Sequence, residues 1–269
     1  MSNANPTTDT NEPFVIRENA ANGVVTLTLN RPKQFNALSV DMLSAIQKKL
    51  DDITHDSSVR VVVMAASGKA FCAGHNLKEM RANTDEAFHQ SLFEQCSQMM
   101  LSINRMPQIV IAKVQGIATA AGCQLVAACD LAVASDNAKF ATSGINVGLF
   151  CSTPAVAVSR NLPRKKAFEM LITGEFIDAD AALQQGLINR VASSEQLDDT
   201  LQSLIDAITA KSSVATITGK DMFYKQLDMD LAAAYDYAGK IMTCNMMADD
   251  VGEGIDAFIE KRHAVWTGR

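Results

Sequence analysis

Two short runs, VRVVVMAA at residues 59–66 and IVIAKV at 109–114, are nearly continuous in apolar, largely β-branched side chains. A strand with one solvated face alternates polar and apolar residues. A run that is apolar throughout is covered on both faces, as in a parallel sheet packed under helices. Each run leads into small residues and then a helical pattern, so strands alternate with helices and imply an α/β core with parallel strands.

The rest of the chain fills in around these runs. Residues 14–17 and 24–30 read as a strand pair about Asn22-Gly23, a dipeptide suited to tight hairpin turns. Ser39 is positioned to cap a helix to about Ile53, with Met42, Leu43, Ile46 and Leu50 on one face. A helix is expected over 85–105, another over 120–129, and short strands at 131–134 and near 140. From Arg164 the pattern turns helical, over 164–173, 180–185, 195–211, 215–226, 230–247 and 250–261, with a short strand at 187–191. The expected division is a polar, disordered tail at 1–12, a core over 13–205, and a helical oligomerisation region over 206–269.

Composition excludes several function classes. A net charge of −6 is unsuited to neutralising phosphates, which argues against nucleic-acid binding. No apolar run reaches about 18 residues, so no membrane span is expected. The six cysteines form no CxxC pair, which argues against a metal site, and within apolar runs such as VAACDLAV they read, Cys151 excepted, as small buried hydrophobes. The first twelve residues resemble neither a secretory signal nor a transit peptide, so the sequence points to the cytoplasm.

Two segments follow the buried strands closely: FCAGHN at 71–76 and ATAAGCQ at 118–124. Small residues admit a ligand close to the backbone. The first N–H groups of a helix are unpaired and sit at the positive end of its dipole. Two such turns brought together would hold a developing oxyanion; spacing alone leaves open that they are merely tight strand-to-helix turns.

FCAGHNLKEM, VQGIATAAGCQLVAACDLAVAS, NVGL, LITGEFIDADAALQQGLINRV and AFIEKRHAVW resemble, in this order, the motifs of the enoyl-CoA hydratase/isomerase (crotonase) superfamily, and LNRPKQFNALS resembles its opening. ATAAGCQLVA with NVGLFCSTP is most similar to the branch called enoyl-CoA hydratase domain-containing protein 3. The resemblance spans residues 14–266. It implies an α/β fold built as a crotonase-like spiral of β-β-α turns, a helical C-terminal trimerisation region, and a homotrimer or dimer of trimers. It implies an acyl-CoA thioester as substrate, with coenzyme A entering as part of that substrate and no separate cofactor. The backbone N–H groups of His75 and Ala121 become the oxyanion donors. Ala73 and His75, Asn76, Leu77 and Lys78 line the path of the adenine and pantetheine. Lys33 and Lys261 face the CoA phosphates, the latter from a neighbouring subunit. The stretch Ala120-Ala121-Gly122 stands where the family often has three glycines.

The catalytic positions depart from the family. Hydration of an enoyl thioester needs a base to activate water and an acid to deliver a proton. The family's two glutamates fall here on Gln124 and Gly144. An amide has no accessible pKa and glycine has no side chain, so ordinary hydratase activity is not expected. An acid used by some isomerases falls on Ser152, beside Cys151 and Thr153, with no activating base in sight. Three readings stay open: a hydratase or isomerase using other groups, a silent acyl-CoA binder, and a thioester hydrolase or decarboxylase using the oxyanion donors with Ser152, Cys151 or the His75 ring. Glutamates restored at 124 and 144 are expected to return some hydration.

Overall fold

The computed structural model describes residues 12–269; the expected tail at 1–12 lies, but for its last residue, outside the described residues. β1 (Val15–Ala20) and β2 (Val24–Leu29) pair antiparallel, and Asn22 and Gly23 take φ of 64° and 72° at the turn between them. α1 (Val40–Thr54) begins where the Ser39 hydroxyl accepts the Met42 N–H at 3.2 Å, and it buries Met42, Leu43, Ile46, Leu50 and Ile53. The chain continues through β3 (Val61–Ala66), β4 (Ala70–Cys72), α2 (Leu77–Ala82) and α3 (Glu86–Arg105). A second passage follows the same plan: β5 (Ile109–Val114), β6 (Ile117–Thr119), α4 (Ala121–Ala128). A third opens with β7 (Leu131–Ser135) and β8 (Lys139–Ala141), then α5 (Ser152–Asn161) and α6 (Arg164–Thr173). β9 (Ile177–Asp178), α7 (Ala179–Gln184) and β10 (Arg190–Ala192) end the sheets. The helices α8 (Leu197–Thr209), α9 (Ser213–Gln226), α10 (Leu231–Met246) and α11 (Asp249–Glu260) follow.

The strands sort into a six-stranded sheet, β1-β2-β3-β5-β7-β10, and a four-stranded sheet, β4-β6-β8-β9. β3, β5 and β7 are parallel neighbours in the first, and β4, β6 and β8 are parallel neighbours in the second. Each passage visits the large sheet, then the small sheet, then a helical segment, and returns one strand further along. This is the expected spiral of β-β-α turns.

The apolar runs are explained by the two layers around the large sheet. Val62 and Met64 of β3 join a core with α1 and α3, whereas Val61, Val63 and Ala65 join Ile111, Val133 and the α8 residues Leu197, Leu201 and Ile205. With both faces of the sheet buried, every position in β3 is apolar. The division expected at 205/206 falls within α8, so this helix is part of the core packing.

α2, the helix expected after FCAGHN, is six residues long and is started by Asn76, whose Oδ1 accepts the Lys78 and Glu79 N–H groups. Two features lie outside the sequence expectations. Helix begins at Ser152, twelve residues before the expected Arg164. Asp130, immediately before β7, accepts the Val110 N–H at 2.7 Å and also the Lys220 ammonium at 2.7 Å and the Tyr224 hydroxyl at 2.8 Å. Lys220 donates further to the carbonyls of Ile103 and Gln108, and so fastens α9 to the core.

Candidate active site

β4 and β6 end side by side, with Cys72 opposite Ala118. Beyond β4, Ala73 donates to the Phe35 carbonyl at 3.0 Å, and Leu38 donates to the Gly74 carbonyl at 2.8 Å. Beyond β6, Ala120 donates to the Ala141 carbonyl at 3.0 Å, and α4 starts at the next residue. The two turns pack backbone to backbone. A Cβ added to Gly74 would lie 2.8 Å from the Ala120 Cβ and 3.2 Å from the Ala121 nitrogen; one added to Gly122 would lie 2.1 Å from the Cys72 carbonyl oxygen. No side chain fits at either position, and Gly74 also holds φ +89°.

Ala121 is the first residue of α4, so its N–H has no acceptor within the helix. His75 forms a parallel bridge with Leu38, made by the Gly74 carbonyl and the Asn76 N–H; this turns the His75 N–H to the opposite edge of the segment. Ala120, before the helix, holds φ 51° and ψ −122°. That conformation suits glycine and costs an alanine on the order of 1–3 kcal/mol, so the site retains a strained backbone.

The remaining candidates surround these turns unevenly. Gln124 is 4% exposed and its Oε1 is buried without a hydrogen-bond partner. The turn Ser143–Val147 is tied to β6 by a 2.7 Å hydroxyl bond between Thr119 and Ser143. A Cβ at Gly144 would lie 2.7 Å from the Leu149 carbonyl oxygen and 2.8 Å from the Cys151 Sγ. The thiol occupies the space a glutamate there would need, so the expected gain from a glutamate at 144 meets a steric obstacle. Burial pushes the Cys151 thiol up, against a smaller lowering by the Gly144 backbone, which disfavours the thiolate. Ser152 is exposed in the first turn of α5, and among the described residues its hydroxyl bonds only the Phe150 carbonyl, at 3.4 Å.

Lys33 is exposed in the short turn Pro32–Gln34, close in sequence to the Phe35 carbonyl that Ala73 bonds. Asn76 spends its side-chain oxygen on capping α2, and Leu77 and Lys78 are exposed on that helix. Lys261 stands apart, exposed at the end of α11 with φ 56°. Two clefts flank Lys220 on the C-terminal side, and neither borders the two turns.

Sequence reading passed over the residues that brace the turns. Asn36 is fully buried, donates to the Ser67 and Ala70 carbonyls and accepts the Arg31 N–H. Gln115 donates to the carbonyls of Ala66, Gly68 and Ala70. Both hold the link between β3 and β4. The one signal available was an amide side chain beside each motif. Burial pushes the Cys72 and Cys123 thiols up to about 12, in keeping with their reading as buried hydrophobes.

Comparison with known proteins agrees with this architecture. The family described as Enoyl-CoA hydratase/isomerase matches residues 19–269. A rat protein named enoyl-CoA hydratase domain-containing protein 3, mitochondrial, is 43% identical over 264 residues, covering 98% of this chain and 88% of the relative. A crystal structure of an enoyl-CoA hydratase from Mycobacterium smegmatis superposes with a TM-score of 0.94 at 56% identity, covering 95% of this chain and 99% of that one. That of human enoyl-CoA hydratase domain-containing protein 3 gives 0.91 at 42% identity, covering 95% and 100%. The cytoplasmic expectation is corrected by these relatives: five vertebrate proteins at 42–44% identity carry a mitochondrial designation in their names. That expectation rested on a tail with weak targeting features, and residues 1–11 lie outside the described part. With a matched family spanning nearly the whole chain and the spiral it leads one to expect, this protein belongs to the enoyl-CoA hydratase/isomerase family.

Proposed function

We propose that this chain binds an acyl-CoA thioester and holds its carbonyl oxygen between the backbone N–H groups of His75 and Ala121, as an enzyme of the enoyl-CoA hydratase/isomerase type without the paired carboxylates of hydration. The observation that carries the reading is the backbone contact of the two turns at Gly74, Ala120 and Ala121. Donors held in place stabilise charge that develops on a thioester oxygen, a contribution of about 3–4 kcal/mol per donor. Ala73 and the segment 75–78 border the path of the pantetheine and adenine, and Lys33 meets the phosphates. Lys261 contributes from a neighbouring subunit of a homotrimer or dimer of trimers. Coenzyme A enters as part of the substrate, with no separate cofactor.

Gln124 and Gly144 leave the two proton-transfer positions of hydration without an ionisable side chain. Each missing acid–base group costs about 10²–10⁴ in rate. Hydrolysis at the same site gains little support, because Ser152 lacks an activating partner among the described residues and Cys151 is held as the thiol. Thermal denaturation with acyl-CoA thioesters, free CoA and NAD tests the reading, since a ligand bound only by the folded state raises its melting temperature. The thioesters should stabilise most, free CoA less and NAD not at all; equal stabilisation by NAD would reject the site. Loss of crotonyl-CoA absorbance should be orders of magnitude slower than with a hydratase that holds both glutamates, and hydration at an ordinary rate would reject the missing-acid account.

A further inference from the structure

The His75 ring joins the turn after β4 to the approach of α1 and to α3. Its Nδ1 lies 3.3 Å from the Leu38 carbonyl oxygen, which only accepts, so Nδ1 carries the hydrogen. In the neutral ring Nε2 keeps its lone pair, and it is enclosed without a hydrogen-bond partner, although the residue as a whole is partly exposed. The ring meets Phe93 of α3 at a centroid distance of 5.5 Å, and His89 stacks on Phe93 at 6.4 Å. A proton on Nε2 places a second N–H and a positive charge where nothing accepts them. A buried donor left unpaired costs more than an ordinary hydrogen bond returns, and a charged one costs more again. Burial accordingly lowers the basicity of the ring, against a smaller opposing effect of the Leu38 carbonyl.

Among the described residues, no side chain offsets this by bonding the ring. Glu79 of α2 is partly buried, and its Oε2 accepts the Val40 N–H at 3.2 Å. Cys72 of β4 and Cys96 of α3 are buried thiols pushed up to about 12, so they stay neutral. Asp41 of α1, Lys78 and Arg81 of α2, and Asp85, Glu86 and Glu94 at α3 are all exposed to water. The cover over the ring is thin. α2 has no fully buried residue and α3 has none before Leu92, while Met80 and Phe88 are partly buried against the core. Segments with little buried surface open at low free-energy cost.

We propose that the His75 ring is an acid-sensitive latch: when neutral it holds α2 and the first turns of α3 closed, and a proton on Nε2 releases them. The closed state excludes the proton, and the open state takes it up near the ordinary histidine value of about 6.5. Closure is therefore complete above that pH and is lost as the pH falls below it, by up to about tenfold per unit. Leu77 and Lys78 ride on α2, so release also loosens the proposed pantetheine path; this consequence alone rests on the binding reading.

Native-state hydrogen exchange of the full chain, without ligand, at pH 7.5 and 5.5 tests the latch. Protection over residues 77–91, corrected for the chemical exchange rate, should fall by up to about tenfold at the lower pH, while that of β5 holds. His75→Gln keeps a donor for Leu38 and has nothing to titrate, so its protection over 77–91 should be the same at both pH values. His89→Gln should keep the pH dependence of the unmodified protein. Equal pH dependence in His75→Gln, or its loss in His89→Gln alone, overturns the latch. Carbon-13 NMR of the histidine rings in the unmodified protein decides the matter even if a variant does not fold. A His75 midpoint below about 6.5 supports the latch, and one at or above it overturns the latch. A thermal shift with an acyl-CoA thioester that shrinks at pH 5.5 supports the loosened path; no shift at either pH overturns the binding reading and not the latch.

Discussion

Ala120 lies in a backbone region that glycine enters without strain, with φ 51° and ψ −122°. Ala120→Gly relieves about 1–3 kcal/mol of strain and loses roughly 0.5–1 kcal/mol to the greater freedom of the unfolded chain. A net gain of about 1 kcal/mol is expected, read as a higher denaturant midpoint at unchanged slope. Gly144→Glu should act the other way. Its side chain starts between the Leu149 carbonyl and the Cys151 sulfur, and overpacking of this kind costs about 1–3 kcal/mol. Joined with Gln124→Glu it should leave crotonyl-CoA hydration at background; restored turnover would show that the turn can move aside. Positions 75, 121, 124 and 144 are proposed from their motifs. The conformation of Ala120 and the volume taken by Cys151 were hidden in the sequence, because a dihedral angle and a neighbour in space leave no mark on residue spacing.

Elements long enough to show a period were legible: α1 with its Ser39 cap, β3, β5, and the helices from Arg164 onward. Three-residue strands such as β4 and β6 are too short to show one. They are fixed by pairing with each other and by the carbonyl bonds of Asn36 and Gln115. The docking of α9 was equally invisible, since Lys220 and Asp130 are 90 residues apart. Every donor of the ammonium finds an acceptor and the carboxylate takes three donors, which favours the charged pair against the burial that raises Asp130 and lowers Lys220. Lys220→Met removes one partner and strands the other in the interior, at a cost of about 3–5 kcal/mol. The expected outcome is a large fall in melting temperature, with amide exchange rising first in α9 and α10; a change below about 1 kcal/mol would contradict this account of the joint.

Across the whole molecule, the C-terminal region exposes several large apolar side chains. Tyr235 is 74% exposed, Met242 71%, Met247 83% and Phe258 85%. Where such side chains form a contiguous patch, the patch marks an association surface. A trimer or hexamer is expected by light scattering at micromolar concentration, and Phe258→Glu should shift the population toward smaller species. A stable monomer would reject this use of the helices. The spiral itself has a different consequence. β4, β6 and β8 end in successive corners along one edge, at Cys72, Thr119 and Ala141. The first two corners hold the proposed donors, and the third leads into Thr142, Ser143 and Gly144. Of the two proposed proton-transfer positions, Gln124 follows the second corner on α4 and Gly144 alone belongs to the third. The third corner can be rewritten residue by residue while the first two keep their hold on the thioester, so a fold of this design can exchange one reaction for another without relearning its ligand.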